Sequence, residues 1–83
     1  MAKDVTIYTS NTCAYCHATK EYFGKKNVEY NEINIDEQPD KRQELVDISG
    51  QMAVPVIMIT KDDDSQEMIV GYNVPKLASA LGA

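Results

Sequence analysis

The sequence predicts an α/β fold of element order βαβαββα, a four-stranded mixed sheet flanked by helices. Three observations carry it. Asp4 to Thr9 is a β-rich run, and about Cys13 to Lys26 suits a helix. Met52 to Ile59 and Glu67 to Val70 read as two strands joined by the polar turn Lys61-Asp62-Asp63-Asp64-Ser65. Two elements in parallel, then a short hairpin, make the sheet mixed: a β-α-β unit needs a right-handed crossover, whereas a short hairpin is antiparallel.

Val5, Ile7 and Tyr8 lie in the first strand, and Ser10-Asn11-Thr12 is a polar turn able to cap the first helix. In that helix Ala14, Ala18 and Tyr22 recur at i, i+4 and i+8, with Tyr15 and Phe23 nearby. Glu21 and Lys25 are spaced as an i,i+4 ion pair. Asn27 breaks this pattern. Val28 to Ile35 is the second strand, and its alternation slips between Tyr30 and Ile33, which predicts a bulge or bend.

Pro39 suits a first helical turn, and Asp40 to Ser49 forms the second helix, with Leu45, Val46 and Ile48 apolar and Gly50 as its stop. Pro55 interrupts the third strand. The last helix has Asn73 as cap, Pro75 early, and Leu77, Ala78 and Leu81 as its buried face. No repeat or linker divides residues 1–83, so one domain is expected.

An 83-residue chain has thin stability margins, since a domain this small hides only about 60–65% of the surface its unfolded form exposes. Hydrophobic residues at 43% and charged residues at 25% argue against disorder. The core is aliphatic, there being no Trp and one Phe. A net charge of −5 repels phosphate backbones and anionic lipid heads, so neither nucleic acid nor membrane is an expected partner. Asp62, Asp63 and Asp64 lack the spacing of a calcium loop and read as a solvated turn, and no metal site is expected. No run has signal-peptide or membrane-span character, so the cytoplasm is the expected location.

In that compartment two close cysteines point to redox chemistry or metal binding, because reduced thiol pools reopen structural bridges. Cys13-Ala14-Tyr15-Cys16 sits where a strand ends and a helix begins. Helix N-termini carry unpartnered N–H groups and partial positive charge, both of which stabilise a thiolate. Cys13, at the very end, is therefore the expected nucleophile. Cys16 is placed to attack a mixed disulfide formed on it. Two other roles are open to such a pair: small buried hydrophobes, or half of a zinc site. Zinc takes four ligands, and His17 is the only other good candidate, so that site requires a dimer. His17 reads either as an exposed helix residue or as a partner for the thiolate.

These residues resemble glutaredoxins and the wider thioredoxin-fold redoxins along almost the whole chain. The resemblance rests on Tyr8-Thr9 ending a strand, Cys-x-x-Cys opening a helix with Tyr15 inside it, Val54-Pro55 opening the third strand, and Gly71 before the last helix. It implies a thioredoxin-like fold and a cis Pro55 beside the reactive cysteine. It further implies a thiol–disulfide oxidoreductase acting on protein or glutathione mixed disulfides. Cys13 and Cys16 would be catalytic, and Tyr15, Val54, Pro55, Gly71, Tyr72 and Asn73 would bind substrate or glutathione. No bound cofactor is implied; glutathione would be a co-substrate, the partners disulfide-containing proteins, and the chain a monomer.

Several family anchors differ. Ser10 stands where relatives have lysine, Met52-Ala53 precedes Val54-Pro55 where a basic residue and threonine are usual, and Asn73 replaces an aspartate. Lys61 or Lys76 would have to substitute for the missing cations. Gly71-Tyr72 resembles instead the branch that takes electrons from thioredoxin reductase. Ala14, in place of the usual proline, is similar to relatives that hold an iron–sulfur cluster between protomers.

Overall fold

A computed structural model describes residues 2–50 and 54–81. The elements are β1 (Ala2–Thr9), α1 (Ala14–Lys25), β2 (Asn31–Asn34), α2 (Lys41–Ser49), β3 (Val56–Lys61), β4 (Gln66–Val70) and α3 (Val74–Leu81). The sheet runs β2-β1-β3-β4, with β1 parallel to β2 and the β1–β3 and β3–β4 pairs antiparallel. The expected mixed sheet is present. Gln51, Met52 and Ala53, at the expected start of the third strand, lie outside the described residues.

Strand alternation sends side chains to two faces. Val5 and Ile7 of β1, Ile57 and Ile59 of β3 and Ile69 of β4 are buried with Phe23, Leu77, Ala80 and Leu81 from the helices. Tyr8 and Val56 point the other way, into a smaller cluster with Ile35 and Leu45. Each such aliphatic contributes about 1.5–3 kcal/mol when fully buried. Without tryptophan, that aliphatic packing is what holds the sheet.

The helices bury some of the expected residues, Leu45, Leu77 and Leu81 among them, and leave others out. In α1 the buried positions are Cys16, Thr19 and Phe23 at i, i+3 and i+7, while Ala14 is exposed. The inward stripe therefore runs through Cys16, Thr19 and Phe23 and not through the alanines. Glu21 meets His17 at 3.1 Å, and not Lys25. In α2 only Leu45 is buried, and Ile48 remains 36% exposed. In α3 Ala80 joins Leu77 and Leu81, and Ala78 is only half-buried.

The second strand is shorter than expected. Asn27 adopts a left-handed φ of 56°, and the Val28 N–H donates to Phe23 O at 2.9 Å. That bond holds Val28 against the end of α1, so parallel pairing begins only at Asn31 opposite Thr6. Val28 and Tyr30 pack on the core from outside the strand. The slip in alternation marks this bend.

Stops and turns obey their local chemistry. Gly50 ends α2 at φ 76° with its N–H on Val46 O at 2.7 Å, a left-handed cap that glycine takes without steric cost. In the β3–β4 turn Asp63 Oδ1 accepts from Ser65 Oγ at 2.6 Å and from Ser65 N at 3.1 Å. Those bonds hold the Asp63 carboxyl below its ordinary range. The aspartate run is a solvated turn.

Candidate active site

β1 delivers the chain to a turn, and the turn delivers Cys13 to the head of α1. Cys13 is the N-cap residue, with extended backbone (φ −93°, ψ 106°), and its Sγ accepts the Cys16 N–H at 3.0 Å. A sulfur thus occupies the place usually taken by a serine or aspartate oxygen. Deprotonated, it gains the charge-assisted form of that bond together with the helix dipole. Cys16 is 1% exposed, and its Sγ lies 4.0 Å from Tyr8 O. The cysteine Cα atoms are 5.2 Å apart and the two sulfurs are joined as a disulfide. Cys13 is half-buried and Cys16 is covered, an asymmetry that suits a nucleophile and a resolving thiol.

Tyr8 lies beneath this pair. Burial, then the charge and hydrogen bond of Glu44, push its hydroxyl above the ordinary tyrosine range, so it stays neutral. His17 is exposed, and its imidazole faces Glu21. It is an exposed helix residue.

The other expected site residues converge from the far side of the sheet. Val56 pairs with Tyr8, and continuing that register sets Pro55 across from Thr9, at the end of β1 that leads to Cys13. The Val54–Pro55 bond is cis. Pro55 is fully buried, and its carbonyl accepts the Gly71 N–H at 2.8 Å. Gly71 has φ 86°, a conformation L side chains rarely adopt. It turns the chain so that Tyr72 stacks on Tyr15, with ring centroids 6.3 Å apart and planes 20° apart. Both rings are exposed, 66% for Tyr15 and 39% for Tyr72.

Asn73 caps α3, its Oδ1 accepting the Lys76 N–H at 3.2 Å. Its side-chain oxygen is therefore engaged, and its backbone carbonyl accepts the Leu77 N–H at 2.9 Å. Lys61 does not belong to this site. It ends β3 at the opposite end of the strand from Pro55 and pairs with Glu67 at 3.1 Å. Lys76 lies in the first turn of α3, four residues after Tyr72.

Two polar networks brace the site from residues to which the sequence lends no catalytic signal. Asp36 Oδ2 accepts the Asn11 N–H at 2.8 Å, and Asp36 Oδ1 accepts from Arg42 Nη2 at 2.9 Å. Asn34 Nδ2 donates to Asn11 Oδ1 at 2.8 Å. On the neighbouring flank Glu32 accepts from buried Thr9 Oγ1 at 2.8 Å and from Lys20 Nζ at 3.0 Å. Burial opposes ionisation of Glu32, but the Lys20 and Thr9 hydrogen bonds and the Lys20 charge outweigh it and lower the pKa.

Comparison with known proteins agrees with this geometry. The glutaredoxin family model matches residues 5–63, more than half of the chain. Glutaredoxin 3 of Escherichia coli is 43% identical over 56 residues, 68% of each chain. The glutaredoxin-like protein NrdH of Lactococcus lactis is 42% identical over 59 residues, 71% of this chain and 78% of that one. The crystal structure of a glutaredoxin from Archaeoglobus fulgidus superposes with a TM-score of 0.78 at 31% identity, covering all of this chain and 89% of its own. The fold is thioredoxin-like, and the chain belongs to the glutaredoxin family of thiol–disulfide oxidoreductases.

Proposed function

We propose that this chain reduces disulfides of proteins, and mixed disulfides with glutathione, by a two-cysteine route. The Cys13 thiolate attacks one target sulfur, and the other leaves as a thiolate that takes a proton from water. Cys16, deprotonated, then attacks Cys13 Sγ and releases the second target thiol. Two electrons pass to the target, and the chain is left as the Cys13–Cys16 disulfide. The observation that carries this reading is Cys13 Sγ capping α1 with Cys16 covered behind it.

Val54 and Pro55 act as the backbone dock. The Val54 N–H and C=O would pair with an extended substrate. Tyr15 and Tyr72 form an apolar wall beside the nucleophile, Gly71 admits close backbone approach, and Asn73 offers its amide nitrogen to the glutamyl end of glutathione. We take the chain to work as a single domain, a monomer, in the reducing cytoplasm. No helix among the described residues is long and apolar enough to cross a membrane.

Glutathione is the proposed reductant, two molecules being oxidised per turnover. A second reading, in which a thioredoxin reductase supplies the electrons, is favoured by the position of Lys61. With that lysine at the far end of β3 and paired with Glu67, Lys76 is left to match glutathione's carboxylates. A coupled NADPH assay on a small mixed disulfide separates them, run once with glutathione and glutathione reductase and once with thioredoxin reductase. Turnover with glutathione supports the first reading, and turnover with thioredoxin reductase alone supports the second. Absence of both, with iron–sulfur absorption after anaerobic reconstitution, would replace them with a cluster carrier.

A further inference from the structure

We propose that Asp36 is a positioning residue for Cys13, holding the nucleophile's turn in register from the β2–α2 connection. The proposal rests on Cys13 being the nucleophile. The turn from Ser10 to Cys13 is weakly closed by itself: Cys13 N–H reaches Ser10 O at 3.4 Å, and the bond from His17 N to Cys13 O is also 3.4 Å. Both lie beyond the usual 2.7–3.2 Å span of such bonds. The short bonds come from outside. Asn11 is gripped at both of its polar ends, its N–H by Asp36 Oδ2 and its Oδ1 by Asn34 Nδ2, each at 2.8 Å. The Ile35 N–H closes the same seam on Thr9 O at 2.9 Å.

The grip is itself clamped. Arg42 reaches from α2 to Asp36 Oδ1 at 2.9 Å and to Ile35 O at 3.2 Å. Asn34 Oδ1 accepts the Asp36 N–H at 2.9 Å. Asp36 thus joins Asn11, two residues before the nucleophile, to α2 through a charge-assisted pair. Loosening it lets Cys13 drift from the Cys16 N–H that stabilises its thiolate.

A merely electrostatic role has the opposite sign. Removing the Asp36 carboxylate and freeing the Arg42 cation would make the surroundings more positive and Cys13 more reactive. The test is alkylation of the reduced chain by iodoacetamide at pH 7, located by mass spectrometry, with circular dichroism confirming fold. Asp36→Ala should slow Cys13 alkylation by about fivefold, the worth of one ordinary hydrogen bond. Asp36→Asn keeps an acceptor for the Asn11 N–H and should stay within about twofold of wild type on the same scale. If Asp36→Ala does not fold, Asp36→Asn decides between the two roles, since an electrostatic role alone would raise its rate more than about twofold above wild type. Alkylation of Asp36→Ala at or above the wild-type rate overturns the proposal. So does an Asp36→Asn rate more than about twofold above wild type, or one as low as that of Asp36→Ala. If wild type is not alkylated preferentially at Cys13, the functional reading itself fails, and that outcome is visible before any variant is made.

Discussion

The two ends of the sheet are built from the same strands but do opposite things. At one end β1 stops, β3 starts, and four connections meet: the turn into α1, the cis Val54–Pro55 bond, Gly71 and the β2–α2 turn. Backbone groups there are held by side chains or by single bonds between loops, as in Asn11 N–H on Asp36 and Gly71 N–H on Pro55. At the other end β3 and β4 are joined by one tight turn, closed by Lys61 N on Ser65 O at 2.8 Å and Asp64 N on Lys61 O at 2.9 Å. The first end leaves a half-buried sulfur and two exposed tyrosine rings; the second exposes solvated aspartates. Chemistry gathers where connections from several elements converge, because only there can groups distant in sequence meet around one atom.

Breaking the reactive end should show most in turnover. Cys13→Ser is expected to abolish it in any disulfide assay, since serine has no usable nucleophile at neutral pH. Cys16→Ser should keep a glutathione-only route and lose reduction of protein disulfides. Equal and complete loss in both variants under the glutathione assay would refute the assigned division of labour.

The middle of β3 should behave in reverse. Ile59 is fully buried on the larger core face, on the hairpin side of the strand. Ile59→Ala is expected to cost about 2–5 kcal/mol by urea denaturation. Its rate per folded molecule should stay near wild type. A specific loss of rate at constant fold would mean that the two ends are mechanically coupled.

The smallest expected effect concerns Glu32, whose folded pKa is depressed by Lys20 and Thr9. A depressed acid contributes stability that is present above its unfolded pKa and lost as pH falls through the folded value. In Glu32→Gln that contribution is absent at every pH. The fall in Tm from neutral pH to below the ordinary glutamate range should therefore be shallower than in wild type. An acid limb of identical steepness would show that the Thr9–Glu32–Lys20 contact carries no net stability.

The order of elements was legible because it depends on local signals: turn residues, a glycine at a left-handed cap, alternation in strands. The buried face of α1 was less so. The alanine spacing there points to one stripe, but Cys16 and Thr19 are drawn under the helix by the sheet they meet. Val28 to Tyr30 has strand composition and yet spends its first N–H on the end of α1, a competition that only the neighbouring helix can decide.

Much of the candidate site was readable as well. Cys13 and Cys16 sit at a strand-to-helix boundary, and that boundary alone implies an electropositive N-cap and two unequal sulfurs. Pro55 and Gly71 stand out through a pattern shared with glutaredoxins, and Tyr72 through its likeness to the branch that takes electrons from thioredoxin reductase. Asp36 and Arg42 were not, since a turn aspartate and a helix arginine are ordinary on any surface until a distant N–H is placed against them.

The sequence by itself thus determined the element order, the sheet's mixed character and the reactive pair, all of which depend on spacing along the chain. Tertiary structure alone decided that Lys61 pairs with Glu67 at the far end of β3, that Tyr15 and Tyr72 stack, and that Asp36 holds Asn11. Hydrogen bonds and ring contacts act over a few ångströms of space, and residues 25 or 57 positions apart meet only after the sheet has brought their loops together.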